Sequence, residues 1–133
     1  MRIGIIGTGQ IGGTLARRLS ALGHQVFVAN SRGSASLTDL ARETGAKPVS
    51  VTEAARRGDL VIVTIPEKNI PHLPADLFAG VPDSVVVVDT GNYYPQQRDG
   101  RIDGIEAGAT ESRWVAQQLG RPVGGEFLKI TPP

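Results

Sequence analysis

Six residues near the start of the chain leave few folds open. Gly7-Thr8-Gly9-Gln10-Ile11-Gly12 is a G-x-G-x-x-G run, with Gly13 adjoining it. Such a string alone is a weak signal. Here it follows a short apolar segment, residues 2–6, that reads as a buried strand. A helical pattern follows, over residues 10–22, with Ile11, Leu15, Leu19 and Leu22 on one face. Between a strand and a helix each glycine has a physical role. Gly7 permits a tight turn, Gly9 lets backbone approach a ligand without a Cβ in the way, and Gly12 lets the helix pack closely on the strand. The free N–H groups at the helix start then face an anion, which implies the pyrophosphate of a dinucleotide.

The rest of the chain repeats the alternation. Val26 to Ala29 reads as a second buried strand after Gly23, which is placed to cap the first helix in the left-handed conformation. Ser36 with Asp39 resembles a capping box that opens a second helix ending at Gly45. Val49 marks a weak third strand, and Thr52 to Arg57 a short helix stopped by Gly58. Residues 59–64 and 84–89 are apolar on both faces, as expected of strands covered by helices on each side. A poor helix over 75–78 joins them. Residues 90–110 read as loop, Glu111 to Leu119 as a last helix, and the tail carries only a faint strand signal. Strand and helix in alternation imply right-handed crossovers and an α/β, Rossmann-type doubly wound parallel sheet, in the order 3-2-1-4-5. It forms a single domain over residues 1–120, with a short atypical tail over 121–133 and a sixth strand weak or missing.

The bulk properties agree with a soluble, cytoplasmic protein. In 133 residues the composition is 40% hydrophobic and 20% charged with a net charge of +1, so no strong field points to nucleic acid or an anionic membrane. No apolar run is long enough to cross a membrane. With no cysteine there is no thiol catalysis and no thiolate metal site, and no His/Asp/Glu spacing suggests another metal site.

The end of the second strand refines the ligand. NAD-binding domains usually place an Asp or Glu there, to accept a hydrogen bond from the ribose 2′-hydroxyl. This chain has Asn30, then Ser31 and Arg32. Asn30 does not repel a 2′-phosphate, Ser31 can donate to it, and Arg32 can present a planar fork. NADP(H) is therefore expected over NAD(H).

These residues carry a family resemblance. The run from Met1 to Gly12, the Asn30-Ser31-Arg32-Gly33 turn and Thr64-Ile65-Pro66 resemble the coenzyme F420-dependent NADP oxidoreductases over about residues 1–120. Asp89-Thr90-Gly91-Asn92-Tyr93-Tyr94-Pro95 is similar to that family's loop after the fifth strand. Pyrroline-5-carboxylate reductases are more distant relatives. The resemblance implies that Thr8, Gly9, Gln10 and Ile11 hold the pyrophosphate and that Ser31 and Arg32 hold the 2′-phosphate. It puts Ile65 and Pro66 near the nicotinamide. The chain departs from the family at Glu67, where several members carry Trp. Family chains also continue past this length, through a strand and a helical region that complete the acceptor site and often the dimer. A fragment, a truncated product and a free-standing domain all fit that difference.

Hydride transfer needs two rings held together with water excluded, and no nucleophile, so no catalytic triad is required. His24 and His72 read as surface residues. Asn92 could meet the nicotinamide or the substrate, Trp114 packs the last helix, and Tyr93 and Tyr94 either line the crevice or cover the sheet edge. The expected activity is an NADP(H)-dependent oxidoreductase with coenzyme F420 or another small molecule as hydride acceptor or donor, its nicotinamide side closed either by a partner subunit of a homo-oligomer or by the segment that family chains add. The alternatives are an NADP(H)-binding module without its own catalysis, or a reductase of the pyrroline-5-carboxylate type. No residue is assigned a catalytic role.

Overall fold

In a computed structural model of the protein, the described residues are 1–30, 37–65, 67–74, 76–82, 84–90 and 118–119. Among the described residues five strands form one sheet: β1 (Arg2–Ile6), β2 (Gln25–Ala29), β3 (Lys47–Pro48), β4 (Leu60–Val63) and β5 (Val86–Asp89). Every pairing is parallel and the order is β3-β2-β1-β4-β5. Three α-helices within the described residues alternate with the strands: α1 (Gln10–Ala21), α2 (Thr38–Thr44) and α3 (Val51–Arg57). The doubly wound α/β arrangement expected from the sequence is therefore present. The expected last helix is described only at 118–119, which are helical, and the expectation of a weak or missing sixth strand falls on residues outside the described ones.

Side chains alternate across the strands and build two cores. Ile3, Ile5, Val26, Val28 and Ile62 pack on one face with Ala16 of α1 and Leu37, next to α2. Ile6, Phe27, Val61, Val63 and Val87 pack on the other with Ala54 and Ala55 of α3, Ile70, Leu77 and Leu119. A strand whose two faces both meet apolar layers must be apolar at every position, which is why β1 and β4 read as unbroken runs. Burying such side chains contributes about 1.5–3 kcal/mol each, the main force holding the layers together.

Small residues set the spacing. A Cβ on Gly4 of β1 would run into the Ala54 carbonyl oxygen of α3, so strand and helix approach closer there than any other residue permits. α3 itself starts one residue before the expected Thr52. Ser50 is its N-cap, and its hydroxyl accepts the Glu53 N–H at 3.1 Å. Gly23 and Gly45 both adopt positive φ where α1 and α2 end, as their positions in sequence suggest.

Three local expectations are corrected. The third strand is Lys47–Pro48 rather than a segment at Val49, whose N–H still bonds the Val28 carbonyl at 2.9 Å. Residues 76–80 form turns rather than a helix, and the segment Glu67–His72 before them is a 3₁₀ helix. Pro71 inside that segment lacks an N–H, which suits a short 3₁₀ stretch better than an α-helix. Leu22 does not join the apolar stripe of α1. It is the C-cap residue, 72% exposed, and Ala16 takes the core position instead.

At the amino ends of the strands, Asp59 ties the entry of β4 to β1. Its carboxylate accepts the Arg2 backbone N–H at 3.1 Å and the Arg2 guanidinium at 3.4 Å. The backbone hydrogen bond, then the guanidinium, hold the Asp59 carboxyl below its ordinary value. A carboxyl with a depressed folded-state pKa stabilises above its unfolded pKa, and that contribution is lost as pH falls through the folded value. Asp59→Asn is therefore expected to melt below wild type at neutral pH and to match it in acid, checked by thermal melts across pH.

Candidate functional site

In this sheet β1 sits where the winding reverses, since β2 and β3 lie on one side and β4 and β5 on the other. Connections leave β1 and β4 in opposite directions and open a crevice outside their carboxyl ends, where open α/β sheets hold ligands. Three residues extend the parallel ladder into that crevice. The Gly7 N–H bonds the Ala29 carbonyl at 2.7 Å, Thr64 N–H bonds Ile6 at 2.8 Å, and Thr90 N–H bonds Val63 at 3.0 Å.

The glycine turn has the structure its spacing implies. Gly7 has φ of 102°, a conformation that L side chains rarely adopt, and a Cβ on it would stand 2.5 Å from the Thr64 carbonyl oxygen. Gly12 faces back into the turn, where a Cβ would strike the Gly7 carbonyl oxygen and come within 2.9 Å of the Thr64 methyl. Gly9 differs from both. It is exposed, and a Cβ there would have no atom within 4 Å. Two glycines thus serve packing, and the third presents bare backbone to open space.

Gly9 is also the N-cap of α1, with extended backbone and no side-chain cap. Its carbonyl accepts the Gly13 N–H at 2.8 Å, the first bond of the helix. The N–H groups at the start of a helix have no intrahelical acceptor, and the first turn here contains no acidic residue to answer them. Gln10, Ile11 and Gly12 supply this first turn. The result is a set of donors and a positive dipole end facing the crevice, chemistry suited to a phosphate or pyrophosphate.

Beside the turn lies a concavity of about 420 Å³. Thr8 and Gly9 line it from the turn, Asn30 from the end of β2, and Gly13, Thr14 and Arg17 from α1. Leu37, Asp39, Leu40 and Glu43 close it from the α2 side. The Asn30 amide donates to the Thr8 hydroxyl at 3.4 Å, so the turn and the end of β2 are joined across the crevice. Arg17 donates to Glu43 through Nε at 3.1 Å and Nη2 at 3.3 Å.

The structure therefore brings together Gly7, Thr8, Gly9, Gln10, Ile11, Gly12 and Asn30 of the expected site. Ile65 lies on the opposite side of the turn, partly buried, with its Cγ2 2.6 Å from where a Gly7 Cβ would be. Ser31, Arg32, Pro66, Asn92, Tyr93, Tyr94 and Trp114 lie outside the described residues. Arg17 and Glu43 were not singled out by the sequence reasoning. Position 17 follows Gly13 by four and so shares its helical face, which was a usable signal. Glu43 is 26 residues away, and only the packing of α1 on α2 brings it near. Among the described residues no helix is long and apolar enough to cross a membrane, and no cluster of His, Cys, Asp or Glu could hold a metal ion.

Comparison with known proteins places this geometry. Residues 2–93 match the family model described as NADP oxidoreductase, coenzyme F420-dependent. Among solved structures, the hypothetical protein SMa0349 from Sinorhizobium meliloti is 30% identical with a TM-score of 0.75, covering 98% of this chain and 62% of its own. The 3-hydroxyisobutyrate dehydrogenase of Mycobacterium tuberculosis, solved with L-serine, is 17% identical with a TM-score of 0.67, covering 93% of this chain and 38% of its own. The reductive aminase of Aspergillus terreus, solved in complex with NADPH4, cyclohexanone and allyl amine, is 19% identical with a TM-score of 0.61, covering 93% and 39%. The likeness to the last two is one of fold. This chain spans under two thirds of the length of each of these proteins. On the match over residues 2–93, with the glycine turn, the carboxylate-free end of β2 and the parallel sheet that positions both, the chain belongs to the coenzyme F420-dependent NADP oxidoreductase family.

Proposed function

We propose that this chain is the NADP(H)-binding domain of an oxidoreductase, exchanging hydride with coenzyme F420 or another small acceptor. The observation that carries the reading is the pairing of two features at one crevice. The exposed Gly9 backbone heads an uncapped helix, and the strand beside it ends in Asn30 rather than an acid. Family membership supports the nicotinamide cofactor, and the A. terreus reductive aminase, of like fold, was solved with NADPH4.

The residues present fit the cofactor. The helix N–H groups at Gly9 to Gly12 would receive the pyrophosphate, and the space beside Gly9 leaves room for it. Asn30, held against Thr8, would lie near the adenosine ribose with a neutral amide, leaving Ser31 and Arg32, next in sequence, to meet a 2′-phosphate. Thr64 and Ile65 follow β4 on the other side of Gly7, with Pro66 next in sequence, where the nicotinamide half would lie. When bound, the cofactor supplies the hydride. The protein orients the ring and excludes water, a task that needs apolar walls and no nucleophile.

Arg32 tests the reading. A guanidinium on a half-exposed phosphate contributes about 1–2 kcal/mol, so Arg32→Ala should weaken NADPH binding roughly five- to thirtyfold. NADH has no 2′-phosphate and should be nearly unaffected. Dissociation constants for both cofactors by calorimetry give the answer. Equal weakening of the two would show that the Asn30-Ser31-Arg32 turn is no phosphate clamp.

A further inference from the structure

The concavity beside the glycine turn contains an ion pair that cofactor binding by this turn does not itself require. Arg17 reaches it from α1 and Glu43 from α2, with Asp39 as a second carboxylate on the α2 side. The Arg17 guanidinium lies close to the phosphate-facing backbone. Its Nη1 is 3.6 Å from where a Gly13 Cβ would stand, and the Thr8 carbonyl oxygen is 3.9 Å from that same point. Only a methyl-sized gap, kept clear because residue 13 is glycine, separates the guanidinium from the turn. Gly13 is not part of the G-x-G-x-x-G pattern, so the motif itself does not explain this glycine.

The pair is also weak. The two side chains are 52% and 57% exposed, and solvent-exposed ion pairs contribute little net stability because water competes for both charges. A phosphate monoester brings up to twice the charge of a carboxylate and three acceptor oxygens. Placed in this concavity, it would compete with Glu43 for the same guanidinium.

We propose that Arg17 is a second cation for the cofactor's 2′-phosphate and that Glu43 holds it until the phosphate arrives. Arg17 then adds to the preference for NADP(H) over NAD(H), and Glu43 tempers it. This rests on the NADP(H) reading above and adds to it a specificity-determining pair. Glu43 lowers affinity in this scheme, because its bond to Arg17 must open before the phosphate can take its place. It also spares Arg17 from meeting Asp39 and other anions nonspecifically when no cofactor is present.

The test uses the full chain and two half-cofactors, 2′,5′-ADP and 5′-AMP, which differ only in the 2′-phosphate, titrated by calorimetry. Arg17→Gln should weaken 2′,5′-ADP about three- to tenfold, and Glu43→Gln should tighten it by a similar factor. Neither should move 5′-AMP, which also serves as the control that the variants fold. The double variant is decisive. If Glu43 acts by occupying Arg17, its removal brings no gain once Arg17 is gone. If the gain from Glu43→Gln persists in the double variant, Glu43 acts only as a distant negative charge and the proposed exchange is wrong. The proposal is equally overturned if Arg32→Ala abolishes the preference for 2′,5′-ADP while the Arg17 and Glu43 variants leave it intact. A wild-type chain with no preference between the two ligands would instead refute the NADP(H) reading itself.

Discussion

Gly12→Ala is expected to destabilise the protein by about 1–3 kcal/mol, although alanine is the better helix former. Replacing a helical glycine by alanine gains about 1 kcal/mol where space allows. Here the added methyl would meet the Gly7 carbonyl oxygen and the Thr64 methyl at the same time. The first is backbone of a turn whose own φ of 102° leaves it little freedom to shift, so α1 must lift from the sheet. Forcing extra atoms into a filled site typically costs about 1–3 kcal/mol, and occasionally more. A displaced α1 carries the helix N-terminus with it, so cofactor affinity should fall together with the melting temperature. Chemical denaturation with and without NADPH reads both effects. A variant as stable as wild type would mean that helix and turn are not in the close contact described.

Gly9→Ala is expected to separate those two effects. Its Cβ meets nothing within 4 Å, and with φ of −67° and ψ of −160° the backbone suits an alanine. Stability should change by less than about 1 kcal/mol, the scale on which alanine is a poorer N-cap than glycine. The methyl would instead occupy the space through which a pyrophosphate approaches the helix N–H groups. Hydrogen bonds to a charged acceptor contribute about 1.5–3 kcal/mol each, so lengthening one or two should weaken binding roughly tenfold to a hundredfold. NADPH and NADH share the pyrophosphate and should lose affinity alike, unlike the selective loss expected for Arg32→Ala. Unchanged affinity for both would mean that the turn is not where the pyrophosphate sits.

The parts of the structure legible in the sequence were those fixed by short-range patterns. The strand-turn-helix unit at residues 2–22, the positive-φ caps Gly23 and Gly45 and the sheet order all follow from alternation and glycine placement. What escaped depends on contacts between distant segments. Gly4 looked like one more residue of an apolar run, and its role emerges only when α3 packs against it through Ala54. The third strand, two residues long at Lys47–Pro48, has no apolar periodicity to reveal it, since it is defined by pairing with Phe27 and Val28. Ser50 and Glu53 are spaced as a capping box, but the helix expected from sequence begins at Thr52 and leaves this cap outside it. In the site, the glycine turn and Asn30 were legible from motif and position, whereas the Arg17–Glu43 pair required the packing of α1 on α2.

The account's central claim is that the crevice at the carboxyl ends of β1 and β2 takes a 2′-phosphorylated dinucleotide. Parallel calorimetric titrations of the wild-type chain with NADPH and NADH test it most directly. The account predicts saturable binding of NADPH to one site per chain, at least about tenfold tighter than NADH, as one charge-assisted phosphate contact would give. No binding of either cofactor, or tighter binding of NADH, would contradict it.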